Sequence, residues 1–425
     1  MKEIIKSQRL GEEFLRIKHK SGLTLLLCPM KGYSSAYALF GTEYGSVETS
    51  FIDKDGTLVQ IPAGTAHFLE HKMFESEEGD AFALYAKTGA SANAYTSFDK
   101  TAYLFSCSDN FKESLSILMH LVSEPYFTPQ TVEKEQGIIG QEIKMYDDSP
   151  EWRVMFNLME ALYEKHPLRV DIAGTVDTIA QITADTLYTC YNAFYNLNNM
   201  ALAVAGNFEV QDVLDLADEI LKPAEPMTAQ RILVDEPAQV VKHRVEQQLP
   251  VAAPLFQVGF KAVPKSKEEN LINQVYDEIL LDVIAGEHTA LYRSMYDEGI
   301  INSTFVGEVM AGRDFAVALF EGESREPDKV YEALCSEIRR MQREGIDQDA
   351  FERSRRAIYG RYLGMYARVD SVASLMLTTQ FGGSDMYAVL EAAAGATYEK
   401  LTVRLLEAFD PERSALSVVT APKEA

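Results

Sequence analysis

The order of the apolar segments constrains the fold of this chain most strongly. In the first half, strand-like runs such as "LTLLLC", "SAYALFG" and "MALAVAG" alternate with amphipathic helical segments, and the second half repeats this pattern between "LFQVGFKA" and "SALSVV". Such a mixture favours an α+β fold, in which helices pack on antiparallel sheets. We therefore expect two homologous domains, residues 1–220 and 245–425, each with helices on one face of its sheet. The proline-rich and charged stretch 221–244 is predicted to link them.

The pentapeptide His67-Phe68-Leu69-Glu70-His71 is the feature most informative about chemistry. Residues four apart on a helix are neighbours, with Cβ atoms roughly 5–6 Å apart, so His67 and His71 can offer two imidazoles to one metal ion. Glu70 lies on the same face, where it can reach a water molecule near that ion. The order H-x-x-E-H is the inverzincin signature. The alternative is a core helix that satisfies both histidines internally.

A catalytic zinc site needs a third protein ligand and an open position. The remaining histidines stand singly, at His19, His120, His166, His243 and His288. Two acids are better candidates, because Glu135 and Glu142 begin and end one stripe of a predicted helix at 131–146. The middle of that stripe, Ile138 and Ile139, is apolar and is predicted to face inward. A buried carboxylate is costly unless it is paired or binds a metal, so either acid is a candidate ligand.

These motifs, together with "EKEQGIIGQE", "GASANAYTSFDKTAY", "HPLRVDIAGTVDTIAQIT" and "YNAFYNLNNMALAVAGNF", resemble the M16 (pitrilysin-type, inverzincin) metallopeptidases. The resemblance covers nearly the whole chain and is most specific before residue 210. The chain is most similar to the single-unit bacterial M16 proteins that are encoded as pairs, which are related to the mitochondrial processing peptidase.

The resemblance implies a role for each residue of the site. His67, His71 and Glu142 would bind one zinc ion per chain, Glu70 would act as the general base, and Glu135 would orient a ligand. In that mechanism the zinc lowers the pKa of its bound water, and Glu70 takes up the proton and passes it to the leaving amine. Two histidines and one carboxylate suit zinc, although iron and manganese use the same donors.

The segment after Gly89 is a candidate substrate-binding strand. By resemblance, Asn93 and Ala94, followed by Tyr95, belong to an edge strand that receives the peptide substrate by β-augmentation. In that mode the main-chain hydrogen bonds supply affinity with little side-chain selectivity. The alternative is an ordinary Gly-Ala turn that precedes a core strand.

The second half of the sequence points to a partner subunit. It carries no H-x-x-E-H motif, and many relatives have there an Arg and a Tyr that reach the substrate. In "LYRSMYDEGIINSTF" these positions fall on Tyr296 and near Asn302, while Arg293 is out of register. We therefore expect half of a clamshell, a hetero-dimer with a second M16-like subunit. A homodimer is less favoured, because two copies would still lack the pair.

Composition limits the other possibilities. A net charge of −24 disfavours nucleic-acid binding, and it fits either plain solubility or an acidic cavity for basic peptides. The four cysteines lie far apart, as expected for free thiols in a reducing compartment. The start has no apolar signal region, and no run reaches the length of a membrane span. The expected location is the cytoplasm of a bacterium, without membrane attachment.

Three functions remain open on the sequence. The first is a zinc-dependent endopeptidase that cleaves unfolded peptides or small proteins. The second is a non-catalytic structural or partner subunit of an M16-type complex, which the intact motif disfavours. The third is a metal-dependent hydrolase of another substrate class. A peptide-cleavage assay with and without a chelator separates the first from the others.

Overall fold

The computed structural model of the chain describes residues 2–77 and 79–422, which form two compact units. Neither unit is a continuous stretch of sequence. The first unit takes its residues from 1–143, 171–232 and 364–387, and the second from 144–170, 233–363 and 388–425. In the described part of the chain, no helix has the length and apolar character needed to cross a membrane.

The strands of the first unit precede residue 232. They are β1 (Lys2–Lys6), β2 (Glu13–Lys18), β3 (Thr24–Pro29), β4 (Ala36–Thr42), β5 (Ser50–Ile52), β6 (Leu58–Gln60), β7 (Glu75–Ser76), β8 (Gly79–Asp80), β9 (Ser91–Thr96), β10 (Thr101–Cys107), β11 (Met200–Gly206) and β12 (Gln230–Arg231). The strands of the second unit are β13 (Arg244–Gln248), β14 (Leu255–Lys261), β15 (Val306–Ala311), β16 (Ala316–Glu323) and β17 (Ser414–Thr420).

The helices alternate with these strands along the chain. They are α1 (Thr65–Met73), α2 (Ala81–Thr88), α3 (Phe111–Ser123), α4 (Pro129–Asp147), α5 (Pro150–Leu162), α6 (Val176–Ile179), α7 (Ala184–Phe194), α8 (Val210–Ile220), α9 (Lys267–Ala285), α10 (Ala290–Asp297), α11 (Pro327–Glu344), α12 (Gln348–Met365), α13 (Val369–Phe381), α14 (Ala388–Ala394) and α15 (Tyr398–Ala408).

The five strands of the second main sheet follow the same order as five strands of the first, which has two more at one edge. The first sheet runs β1-β2-β3-β11-β4-β10-β9, and the second runs β13-β17-β14-β16-β15. In each, the last strand of the sequence half inserts between two earlier neighbours, which confirms the α+β fold and the two homologous domains. The prediction of purely antiparallel sheets was wrong in one detail. The inserted strand pairs in parallel with β3 or β13, because the helices before it return the chain to the starting end of the sheet.

The prediction that helices cover only one face of each sheet was also wrong. In the second unit, a Cβ placed on Gly259 would lie 2.9 Å from Leu158 of α5, and one on Gly307 would lie 3.0 Å from Leu281 of α9. Across the sheet, Gly307 aligns with Phe320, which in turn aligns with Val258, the residue before Gly259. Because successive residues of a strand point to opposite faces, α5 and α9 lie on opposite faces of the sheet.

The first unit is covered in the same way. A Cβ on Gly41 would lie 2.7 Å from Leu377 of α13, whereas the ring of Tyr103, on the other face, lies 6.0 Å from that of Phe74 at the end of α1. The reason is visible in "MALAVAG", the sequence of β11, in which every residue is buried. An unbroken apolar strand needs cover on both faces.

The covering helices explain why the units are discontinuous in sequence. The segment 144–170, which holds α5, belongs to the second unit, and 364–387, which holds α13, belongs to the first. The compact units therefore differ from the linear division at 221–244. As limits of the two homologous repeats, 1–220 and 245–425 remain a prediction.

Within the predicted linker, Glu236 is fixed to the second unit. Its carboxylate accepts hydrogen bonds from the backbone N–H groups of Glu164, Lys165 and His166, at 2.9, 2.8 and 2.7 Å. The buried ammonium of Lys261 donates a further bond of 2.6 Å. Burial raises the pKa of Glu236, but these donors outweigh it, so its pKa lies below the ordinary value.

Candidate metal centre

Helix α1 begins at a glycine that the fold requires. Gly64 caps the helix with φ 91°, in the left-handed region, and a Cβ there would lie 2.4 Å from the carbonyl oxygen of Ala173. Gly174 makes the reciprocal approach, because its Cβ would lie 2.5 Å from the carbonyl oxygen of Ala63. Only glycine permits both the dihedral angle and the contact. The start of α1 is thereby held against this part of the first unit.

The pentapeptide lies on α1 with its two histidines on one face. Phe68 and Leu69 are fully buried and anchor the helix in the core. The rings of His67 and His71 are 4.6 Å apart between centroids; His67 is buried and Glu70 is half-buried. Burial and the neighbouring His71 lower the pKa of His67 to about 4, so its imidazole is neutral at pH 7. A neutral imidazole is the form that binds metal ions.

Helix α4 brings two carboxylates to this face. Glu135 and Glu142 are both turned toward α1, as a seven-residue spacing allows. Ile139 is fully buried, as predicted, but the prediction that Ile138 faces inward was wrong, since it is 47% exposed. Consecutive residues on a helix are rotated by about 100°, so Ile139 falls on the core side of the two acids and Ile138 on the solvent side.

Three side chains converge on one point. The Nε2 atoms of His67 and His71 lie 3.7 and 3.5 Å from the two carboxylate oxygens of Glu142, and the three ligand atoms lie within 4.8 Å of one another. Neither contact is short enough for a good hydrogen bond. With metal–ligand bonds of about 2.0–2.2 Å, a tetrahedral site has ligand atoms about 3.3–3.6 Å apart. The two distances to Glu142 are close to this range, and the third pair of atoms, within 4.8 Å, needs only a small side-chain movement to close around an ion.

Glu135 holds one of the histidines in orientation. Its Oε1 lies 3.0 Å from Nδ1 of His71, which directs Nε2 of that ring toward Glu142. Burial raises the pKa of Glu135, but the hydrogen bond to His71 and the charge of that ring lower it by more. The pKa of Glu135 is therefore below its ordinary value. An ionised Glu135 accepts the Nδ1–H and fixes the tautomer, the usual support for a metal-binding histidine.

Glu70 does not belong to the converging group. Its Oε2 accepts a hydrogen bond of 2.9 Å from the hydroxyl of Thr96 on β9. Burial raises the pKa of Glu70, and the Thr96 bond opposes that effect. Thr96 was not singled out in the sequence, although the alternation of side chains along β9 places it on the same face as Ala94.

The predicted substrate-binding residues lie on β9, at the edge of the main sheet. Asn93 and Ala94 line a cavity of about 550 Å³, together with the metal-site residues Glu70, His71 and Glu135. Tyr95, the third predicted residue, is not part of that lining. The cavity is also lined by residues that the sequence analysis did not single out: Phe74, Glu75, Ser76, Glu77, Gly79, Asp80, Phe82 and Lys134.

The second unit lacks a comparable centre. Among residues 2–77 and 79–422, no other group of three histidines, cysteines or acids has its ligand atoms close enough to share an ion. Tyr296, where the resemblance implies an Arg, stacks on Tyr292, and Asn302, near the implied Tyr, donates a hydrogen bond to Glu323.

Comparisons with known proteins agree with this fold. The sequence profile of the Insulinase (Peptidase family M16) domain matches residues 60–176, and that of the Peptidase M16 inactive domain matches 181–358. The uncharacterized zinc protease YmfH of Bacillus subtilis (strain 168) is 36% identical over 416 residues, 96% of this chain and 97% of the relative. The chain therefore belongs to the M16 peptidase family.

Solved structures give the same assignment. An M16-like peptidase from Alicyclobacillus acidocaldarius superposes with a TM-score of 0.94 at 34% identity, covering 98% of this chain and all of the other. Pitrilysin matches with a TM-score of 0.77 at 16% identity, and this chain spans 47% of its length. The first half of the periplasmic protease PqqL from Escherichia coli matches with a TM-score of 0.72, also at 16% identity.

Proposed function

We propose that this protein is a zinc-dependent endopeptidase that cleaves unfolded peptides or small proteins. The observation that carries the proposal is the convergence of His67, His71 and Glu142, with the three ligand atoms within 4.8 Å of one another. Glu70, on the same helix turn as His71, is not one of these three residues, so it is available to act on the water. Two imidazoles, one carboxylate and an adjacent acid are the donor set of a hydrolytic zinc site.

The ion would contribute what zinc supplies in such sites, a Lewis acid that polarises the scissile carbonyl and acidifies water. The remaining chemistry belongs to the side chains. Glu70, oriented by Thr96, accepts the proton of the attacking water and gives it to the leaving amine, so one water is consumed for each bond cleaved. Glu135 keeps Nε2 of His71 directed to the ion.

The edge strand β9 would hold the substrate. Among residues 2–77 and 79–422 no strand pairs with its outer edge, so an extended peptide can pair with it through main-chain hydrogen bonds. Main-chain pairing favours unfolded segments over folded proteins, because only an extended chain presents its backbone groups. Asn93 and Ala94 line a cavity together with Glu70, His71 and Glu135, so we expect a paired peptide to lie beside these side chains.

The test compares the wild type with Glu70→Gln. We expect metal content to stay at one ion per chain in the variant, while turnover of an unstructured peptide falls by at least about 10²-fold, the low end of general-base effects. A chelator should abolish cleavage by the wild type, and added zinc should restore it. Parallel loss of metal and activity in Glu70→Gln would make this residue a ligand and contradict the mechanism.

The alternative, a non-catalytic subunit, is favoured by one finding. The second half matches a domain described as inactive, and it holds no metal-binding group among the described residues. The complete set of His67, His71, Glu70 and Glu142 in the first unit argues against it, since a subunit without catalysis has no need of the set. Metal-loaded protein that cleaves no peptide, alone or with a partner, would support the alternative.

We further propose a second M16-like subunit as the partner. Support comes from the match of this chain to 47% of pitrilysin, and from the second half, where the positions at which the resemblance implies an Arg and a Tyr fall on Tyr296 and near Asn302. A partner would supply that pair to the substrate. Cleavage should then rise with partner concentration by mass action. Full activity of a monodisperse monomer, unaffected by any partner, would refute this proposal.

The proposed location is the bacterial cytoplasm. All four cysteines, Cys28, Cys107, Cys190 and Cys335, are buried free thiols. Reduced thiols without a disulfide partner are common in reducing compartments. Secretion of the native protein into the medium would contradict this location.

A further inference from the structure

Lys72 is buried where a charge is costly. It directly follows the metal-site residue His71 on α1, and its exposed fraction is 0%. Lysine is almost never fully buried unless it is paired, and its ammonium pays a desolvation penalty of several kcal/mol. Its charged partner is the carboxylate of Glu75, the first residue of β7, which is 32% exposed.

Stability alone does not explain this pair. Replacing a buried ion pair by apolar side chains of similar volume is often neutral or stabilising, so such a pair is weak evidence of a stabilising role. The position is also the last turn of the metal-site helix, and the partner carboxylate lines the same cavity as Glu70, His71 and Glu135. The charge therefore links the metal helix directly to the wall of the cavity.

That wall is the short segment formed by β7 and β8. Its two ends are joined by a backbone hydrogen bond of 2.9 Å from the N–H of Ala81 to the carbonyl of Phe74. The rings of Phe74 and Phe82 stack at 4.5 Å between centroids, at an angle of 6°. These contacts close the base of the β7–β8 segment. The Lys72–Glu75 ion pair adds a charged contact between α1 and β7.

We propose that Lys72 and Glu75 are a positioning pair that holds the β7–β8 wall of the cavity against the metal-site helix, in the place where a peptide substrate binds. The inference rests on the proposed function for the identity of the substrate. Lys72 itself touches no substrate, since its side chain is fully buried. Its effect should therefore fall on peptide binding, and on KM more than on kcat.

The experiment measures binding and catalysis separately. Lys72→Met, Glu75→Gln and the double variant are made in the active chain and also in the Glu70→Gln background, in which a fluorescent unstructured peptide binds without being cleaved. The matched control is Lys87→Met, which removes an exposed lysine of α2 that does not line the cavity. Bound zinc per chain is determined for every variant.

We expect Lys72→Met and Glu75→Gln each to weaken peptide binding about tenfold, near the lower end of the effect of a hydrogen bond between charged groups. The double variant should be no weaker than either single variant, because the two residues act as one unit. Metal content and kcat should stay close to those of Lys87→Met. Glu75→Gln serves as the independent variant if Lys72→Met does not fold.

Three results would overturn the proposal: binding by both single variants equal to that of the control, penalties that add in the double variant, or loss of metal together with binding. Failure of the Glu70→Gln protein to bind any peptide would also overturn it. If the variants weaken binding as expected but the wild type cleaves nothing with or without a partner, the positioning role stands and the proposed catalysis fails.

Discussion

The hydrogen bond from Thr96 to Glu70 gives the sharpest prediction about catalysis. Thr96→Val keeps the shape of the side chain and removes the hydroxyl that lies 2.9 Å from Oε2 of Glu70. A bond to a charged group contributes about 1.5–3 kcal/mol, and each 1.4 kcal/mol is a factor of ten in rate. If Glu70 needs this bond to face the attacking water, kcat should fall about 10- to 100-fold in Thr96→Val.

The assay is steady-state cleavage of an unstructured peptide by zinc-loaded protein, with the metal content measured in the same samples. Thr96→Ser is the matched control, because it retains the hydroxyl and should keep most of the activity. KM and bound zinc should change little in either variant, since Thr96 is not among the converging ligand residues. A Thr96→Val enzyme with the kcat of the wild type, or a Thr96→Ser enzyme as impaired as Thr96→Val, would refute the reasoning.

Two further predictions concern stability. Gly64→Ala should lower the free energy of unfolding by about 1–3 kcal/mol or more, because φ 91° is strained for alanine and the new Cβ would lie 2.4 Å from the carbonyl oxygen of Ala173. Chemical denaturation measures this loss. An unchanged denaturation midpoint would be inconsistent with the described start of α1. Glu236 has a pKa below its ordinary value in the folded protein, so its stabilising contribution is present above the unfolded pKa of about 4.3 and is lost as the pH falls through the folded pKa. The difference in unfolding free energy between the wild type and Glu236→Gln should therefore be largest near pH 7 and shrink toward pH 3, and a difference independent of pH would contradict this.

Helix geometry singled out two pairs of side chains from their spacing, and the resemblance to the M16 peptidases assigned both pairs to one metal site. His67 and His71 had to share a face of one helix, and Glu135 and Glu142 had to share a face of another. The structure brings these four side chains together, while the roles assigned to them remain predictions. Thr96 was missed because a single threonine carries no spacing signal of its own.

Other features depend on tertiary packing and could not be predicted from local pattern. Ile138 and Ile139 are equally apolar, and only the placement of α4 decides that Ile139 is buried and Ile138 exposed. The exchange of α5 and α13 between the halves follows from the need to cover the second face of each sheet, which the apolar run of β11 indicates without naming the helix. The burial of Lys72 runs against the usual behaviour of lysine and is visible only once α1 is placed.

The most direct test of the central claim is the position of a bound metal ion. A crystal structure of the zinc-loaded protein, with anomalous scattering recorded at the zinc edge, locates the ion independently of the ligands. The account predicts one ion per chain, bonded to Nε2 of His67, Nε2 of His71 and a carboxylate oxygen of Glu142 at about 2.0–2.2 Å. An ion more than about 5 Å from Glu142, well beyond any bonding distance, would contradict it.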